Sequence, residues 1–411
     1  MSTKLHRVLA ATTALLAAAA LAVTSAAAPA GAKPGPKADV RFATFNATLS
    51  DDAWDGQEFV EALSGGELQR AQQVAEVIQR SRPDVLLINE FNFVEDGAAA
   101  EVFRDDYLAV SQNGADPIDY PYYFVAPVNT GVASGVDLNN DGTIDTTPGD
   151  FSYANDAFGF GLFPGQYGMV VFSKFPIAEE DVRTFQEFLW ADMPDSLMPR
   201  EYYAGELDVV RLSSKSHWDV PIKIGRKTVH FLVSHPTPPV FDDPEIDWNG
   251  RRNHDEIRFW ADYVRPGKSG YIYDDAGETG GLQPGAPFVI AGDMNADPHD
   301  GDSTGDPAEL LLQSPRVNTK VTPASQGGVV AAADDGGINL EHEGNPAFDT
   351  ADFGEPPGNL RVDYVLPSKR LRIVDAAVFW PTPDSELAYL ADVSDHHLVW
   401  VDLAIPGVRM R

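Results

Sequence analysis

The sequence predicts an α/β domain in which strands dominate. Three observations carry this expectation. Short apolar runs recur along the chain, several rich in β-branched residues and each bounded by turn residues. Some are apolar almost throughout, as in strands covered on both faces. Two stretches between them repeat at three and four residues, the period of amphipathic helices. Composition agrees. Hydrophobic residues make up 43% of the 411 and aromatics 10%, enough for a core and too many for a disordered chain.

Taken in order, the chain opens with Lys4, His6 and Arg7, an apolar run from Val8 to Val23, and small residues through Ala28 to Ala32. This order reads as a secretory signal peptide over residues 1–28, with cleavage as late as 32 as an alternative. The run of about 16 residues is short for a membrane span of roughly 20. Residues 29–38, with Lys33-Pro34-Gly35-Pro36-Lys37, read as an exposed linker. No later run is long enough for membrane insertion. The expected protein is secreted and extracellular, with one domain over 39–411.

Within that domain the strand candidates are Val40–Asn46, Val85–Glu90, Tyr122–Pro127, Met169–Ser173, Val229–His235, Phe288–Asp293, Val362–Leu366 and Leu398–Ala404. Between the first two, Leu68, Ala71, Val74, Ala75 and Ile78 mark a helix that stops before Pro83. A second helix is expected from His254, capped by Asn253, with Glu256 at the capping-box position. Residues 129–166, 266–285 and 315–358 are rich in Gly, Asp or Pro and read as long loops, which are often functional.

The composition also excludes chemistry. There is no cysteine, hence no disulfide, thiolate metal site, cysteine nucleophile or lipoprotein anchor. The formal charge is −32, which argues against nonspecific duplex binding.

Most strand candidates end in a residue able to bind a metal or a phosphate: Asn46, Asn89-Glu90, His235, and Asp293 with Asn295; Asp363 stands near the start of another. Asp395-His396-His397 leads into the last strand. Singly, each is more often a turn former or a structural histidine. Together they supply oxygen ligands, an imidazole base and neutral donors, the parts needed to cleave a phosphate ester around a hard cation. If the chain stays extended at Asp293, Asp293 and Asn295 face the same way.

The ordered motifs Val40–Asn46, Pro83–Glu90, Gln166–Pro176, Gly292–Asn295, Arg361–Tyr364 and Ser394–His396 resemble those of the endonuclease/exonuclease/phosphatase superfamily, the DNase I-like fold. The resemblance spans residues 40–404 and implies a four-layer α/β-sandwich, two mostly antiparallel sheets flanked by helices. It implies Glu90 as principal metal ligand, with Asn46 and Asp395 near the same ion, one or two Mg2+ or Mn2+ being expected. It implies His396 as general base and Asp363 as the group that fixes its tautomer. Asp293 and Asn295 would align the nucleophile and stabilise charge on phosphorus, and His235 would donate to the phosphate or leaving group. His397 makes the choice of base rest on alignment. The Gly250–Asn253 segment is a candidate source of a phosphate-binding arginine, or simply a solvated start of a helix.

A second ion is suggested by Asp137-x-Asn139-x-Asp141-Gly142-Thr143-x-Asp145, the spacing of a calcium loop. Its twelfth position is Pro148 rather than the glutamate of an EF-hand. A lone structural Ca2+ loop within the 129–166 insertion is the reading, with an ordinary turn cluster as the alternative.

The expected function is a secreted metal-dependent phosphoesterase using a His-activated water. An extracellular DNase or RNase of the same fold is the alternative, with nucleic acid as substrate. A lipid-headgroup phosphodiesterase is a third enzyme option. A non-catalytic binding or surface protein is the alternative of another class. No protein partner is inferred.

Overall fold

The computed structural model describes residues 39–50, 55–354 and 356–405. The expected signal peptide and linker lie outside these residues.

The described chain forms strands β1 (Asp39–Asn46), β2 (Val85–Asn89), β3 (Tyr122–Phe124), β4 (Met169–Ser173), β5 (Arg183–Thr184), β6 (His217–Ile224), β7 (Lys227–Ser234), β8 (Phe288–Asp293), β9 (Ala351–Asp352), β10 (Asn359–Leu360), β11 (Asp363–Pro367), β12 (Arg372–Val378) and β13 (Val399–Ala404). Its α-helices are α1 (Gly56–Leu63), α2 (Gln69–Ser81), α3 (Ala98–Val102), α4 (Phe151–Asn155), α5 (Trp248–Tyr263), α6 (Pro307–Leu312) and α7 (Gln326–Asp335). One sheet has the order β12-β13-β1-β2-β4-β3 and the other β11-β8-β7-β6-β5. Within them only β1–β2 and β7–β8 pair in parallel.

Alternation along the strands explains the layers. In β1, Val40 and Phe42 point between the sheets, while Ala43 and Phe45 point to the helices. In β8, Val289 and Ala291 point between the sheets, and Phe288 and Ile290 outward. Both faces are therefore apolar, which is why these runs lack a polar alternation. The outer face of the first sheet is covered by α1, α2 and α3 through Phe59, Leu63, Val74, Ile78 and Ala100. The outer face of the second is covered by α5 and α6 through Ile257, Trp260 and Leu311. Helix, sheet, sheet and helix are the four expected layers.

All eight expected strands form. The helix over 69–81 ends where Arg82 turns left-handed just before Pro83. α1 escaped the sequence reading, although Asp55 and Glu58 make a reciprocal capping box at its start. α5 begins at Trp248 rather than His254, so Asn253 and Glu256 are interior helical residues and cap nothing. Instead, the Asn253 amide donates to the carbonyls of Thr237 and Met294 at 2.8 and 2.9 Å. Glu256 accepts the backbone N–H groups of Ser214 at 2.7 Å and Thr237 at 2.6 Å. The helix thus ties down the chain on either side of the β6–β7 hairpin.

Candidate active site

The inter-sheet alternation runs one step past the apolar core. Positions 40 and 42 lead to Asn46, 85 and 87 to Asn89, 231 and 233 to His235, 289 and 291 to Asp293, and 365 to Asp363. Asn46 pairs with Asn89 in register, and Asp363 pairs with Asp293. β1 and β2 touch β8 across the gap. The polar ends of strands from both sheets therefore meet at one edge of the sandwich.

There, Asp293 is the hub. Its Oδ2 accepts from Asn46 Nδ2 at 3.1 Å, and faces His235 Nε2 at 3.4 Å and His396 Nε2 at 3.6 Å. Its Oδ1 accepts the Asn295 N–H at 2.8 Å. On the far side of the imidazole, His396 Nδ1 is 2.9 Å from Asp363 Oδ2. Thr350 Oγ1 donates to that same oxygen at 2.9 Å, while Asp363 Oδ1 is buried without a partner. Phe353 packs edge-on against the His396 ring. Asp293, Asp363 and His396 are close enough to meet a single cation. The two imidazole nitrogens diverge, however, so the Asp363–His396–Asp293 line is better suited to moving a proton.

The electrostatics follow from burial and charge. Burial alone lowers the His396 imidazolium, but the flanking Asp363 and Asp293 carboxylates outweigh it and raise its pKa. Burial raises the Asp363 carboxyl, although His396 pulls it down. Burial and the nearby Lys215 charge lower His235, keeping it neutral. His397 is settled by its surroundings. Its ring stacks on Trp380 with centroids 3.7 Å apart, and burial holds it well below the ordinary histidine value. It is a core residue, and His396 is the histidine at the site.

The remaining expected residues also line this cleft, which has a volume of about 1010 Å³. Glu90 follows β2 with positive φ, and its Oε1 accepts from Asn46 Nδ2 at 3.1 Å. The Asn46 nitrogen thus spans Glu90 and Asp293, while its oxygen accepts the Thr48 N–H at 3.2 Å. Asp395 is exposed, with Oδ1 accepting from Thr48 Oγ1 at 3.1 Å. It and His396 occupy the bend before β13, which lets neighbours share one cleft. Asn295 is not in extended backbone: its φ is 50° and its amide donates to Pro236 O at 3.1 Å. It reaches the cleft through a turn, not through the strand alternation expected for it.

The Gly250–Asn253 expectation fares differently. Arg252 is neither a free phosphate ligand nor a solvated residue. Its guanidinium donates to the carbonyls of Leu212, Phe158, Arg211 and Ser213. In the calcium-loop motif, the Asp137 carboxylate accepts the N–H groups of Asp141 and Gly142, and Asn139 Oδ1 also accepts from Asp141. Asp141 accepts from Thr143 N–H, and Asp145 from Thr147 N–H. These side chains cap backbone N–H groups within the loop. The 129–166 insertion builds a wall of the cleft with Leu138, Phe151, Phe158 and Phe160. Lys215 was not anticipated. It lines the cleft beside Glu90, His235 and Asp293 and is only 6% exposed.

A two-sheet sandwich with its Asn, Glu, Asp and His side chains gathered at one edge is the arrangement of the DNase I-like α/β-sandwich fold. The chain belongs to the Endonuclease/Exonuclease/phosphatase family, whose model matches residues 61–396, a family of hydrolases acting on phosphate esters. Similar solved structures include an endonuclease/exonuclease/phosphatase from Beutenbergia cavernae (17% identity, 90% of this chain and 72% of that one, TM-score 0.48). Others are beta toxin from Staphylococcus aureus (16%, 88% and 99%, TM-score 0.45) and sphingomyelinase C from Streptomyces griseocarneus (16%, 89% and 99%, TM-score 0.45). A comparison with curated proteins returned no match. Among the described residues no helix is long and apolar enough to cross a membrane.

Proposed function

We propose that the protein is a divalent-metal-dependent phosphoesterase in which His396 activates water for direct attack on phosphorus. The observation that carries this reading is the Asp363–His396–Asp293 line at the cleft, with Glu90 and His235 beside it.

The donor set suits a hard cation. Glu90, Asp293 and Asp395 present carboxylate oxygens to one cleft. Glu90 and Asp395 would hold Mg2+ or Mn2+. Such an ion neutralises phosphoryl charge and makes bound water more acidic. The chain's own residues do the rest. In its neutral form, which becomes more populated as pH rises towards its raised pKa, His396 takes the water proton at Nε2, and Asp363 fixes the tautomer from Nδ1. The water oxygen bonds to phosphorus as the ester P–O bond breaks. Neutral His235 and the Asn295 amide orient the phosphoryl group by hydrogen bonds, and the leaving alkoxide takes a proton from solvent.

The cleft favours an ester with an organic group of moderate size over a nucleic acid. Its lining includes the exposed rings of Phe151, Phe160 and Phe241, and the chain is strongly acidic. A groove for a polyanion calls for basic residues. We further propose export, on the strength of the N-terminal run. Protein recovered from culture medium should then lack the first 28 to 32 residues by mass spectrometry.

The deciding assay is purified protein with magnesium, manganese or calcium on p-nitrophenyl phosphate, bis-p-nitrophenyl phosphate and plasmid DNA. Turnover of the small esters supports the proposal. Catalytic DNA nicking transfers it to a nuclease, and no turnover on any ester with any metal refutes it.

A further inference from the structure

We propose that Lys215 is a further catalytic residue, whose ammonium holds a non-bridging phosphoryl oxygen in the cleft. This rests on the phosphoesterase reading and adds what that reading lacked, a cation supplied by the chain itself.

Its burial is the first support. Lys215 is 6% exposed yet lines the cleft with Glu90, His235 and Asp293. A lysine is almost never buried so deeply without a partner. Among the described residues its ammonium makes no hydrogen bond or salt bridge, so three N–H donors have no fixed acceptor. The acids around it are already engaged. Glu256 spends both oxygens on Ser214 and Thr237 N–H groups. Glu90 accepts from Asn46, and Asp293 from Asn46 and Asn295.

The second support is how the residue is fixed. The Ser214 N–H is held by Glu256 at 2.7 Å, and the Lys215 carbonyl accepts from Asn129 N–H at 2.8 Å. The backbone is pinned on both sides of the residue, which gives the side chain a defined origin.

Elimination gives the third. The other lysine or arginine residues lining the cleft are Arg211 and Arg252. Arg252 is bound to four carbonyls. Arg211 is held by Asn129 Oδ1 at 2.7 Å and lies over the Phe158 ring. Among the described residues, Lys215 is thus the cleft cation none of whose donors has an acceptor, whereas both arginines are held in place by theirs. Charge spreads over the non-bridging oxygens during phosphoryl transfer, and a fixed point charge in a dry cleft stabilises it.

The test is calorimetric titration with inorganic phosphate in excess magnesium, on the native protein, K215M, K215Q and K215R. Melting temperatures serve as the check on folding. Among the described residues no carboxylate contacts the ammonium directly, although Glu256, Glu90 and Asp293 lie near it, so a neutral side chain of similar length should leave the protein folded, and K215Q repeats the test if K215M fails to fold. Phosphate binding should weaken about tenfold or more in K215M and K215Q and largely recover in K215R. With bis-p-nitrophenyl phosphate, kcat should fall about 100-fold in K215M. Native protein that binds no phosphate, or K215M that binds it as tightly as native, overturns the proposal. If native protein turns over esters but K215M keeps its phosphate, the lysine site fails and the hydrolase reading stands. If K215M loses phosphate but native protein hydrolyses nothing, the hydrolase reading fails and the anion site stands.

Discussion

Asp363 Oδ2 lies 2.9 Å from His396 Nδ1, and its strand places it directly opposite Asp293, whose carboxylate faces the other imidazole nitrogen. One β-ladder thus supplies both groups that flank the base. Asp363→Asn should therefore cut kcat on bis-p-nitrophenyl phosphate by about 10²–10⁴, as loss of general-base function does. His396→Ala should lose a similar amount, and the double variant little more, because the two act as a unit. Additive losses would show that they act separately.

Glu90→Gln should raise the metal concentration needed for half-maximal activity by about tenfold or more, while the melting temperature without metal stays near native. A magnesium titration reads this directly. An unchanged titration removes Glu90 from the cation's ligands.

Glu256 is buried and accepts two backbone N–H groups, from Ser214 and Thr237. Glu256→Ala leaves both without an acceptor and should cost about 2–4 kcal/mol in urea denaturation. Because the same carboxylate anchors the chain next to Lys215 and near His235, activity should fall even where the variant is fully folded.

Asp349 carries a pH signature. It is buried, with Asp297 and Asp300 as acidic neighbours, and burial first, then those charges, push its carboxyl up to about 8. The folded state therefore keeps a proton that the unfolded state releases near pH 4. Stability from this group is fully present below that pH and is lost as pH rises towards 8. Asp349→Asn should match native stability near pH 4 and exceed it by about 1–3 kcal/mol at pH 8. Equal stability at both pH values would show that the carboxyl titrates normally.

The sequence revealed the strands whose two faces are both buried, because their apolar runs are unbroken. It also revealed Asn46, His235, Asp293 and Asp363, because each directly follows or opens such a run. β6 was hidden. Trp218, Val220, Ile222 and Ile224 do alternate, but Asp219, Pro221 and Lys223 lie between them, and a proline argues against a central strand. Lys215 was hidden with it, inside the stretch Ser213-Ser214-Lys215-Ser216, which has no apolar residue to mark it as buried. Arg252, Asn253 and Glu256 were misread for a related reason. Their types suggest the start of a helix, and only tertiary packing shows that they clasp loops.

The 129–166 segment meets the sandwich through a few fixed points. The Asn129 amide donates to Gln186 and Ser213 carbonyls, and the Gly165 carbonyl accepts from the Phe93 N–H. The reactive groups lie elsewhere, on the sheet ends. A different insert grafted between the same anchors would change the shape presented to incoming molecules while leaving the bond-breaking apparatus in register. Selectivity and chemistry in this scaffold are thereby free to diverge independently.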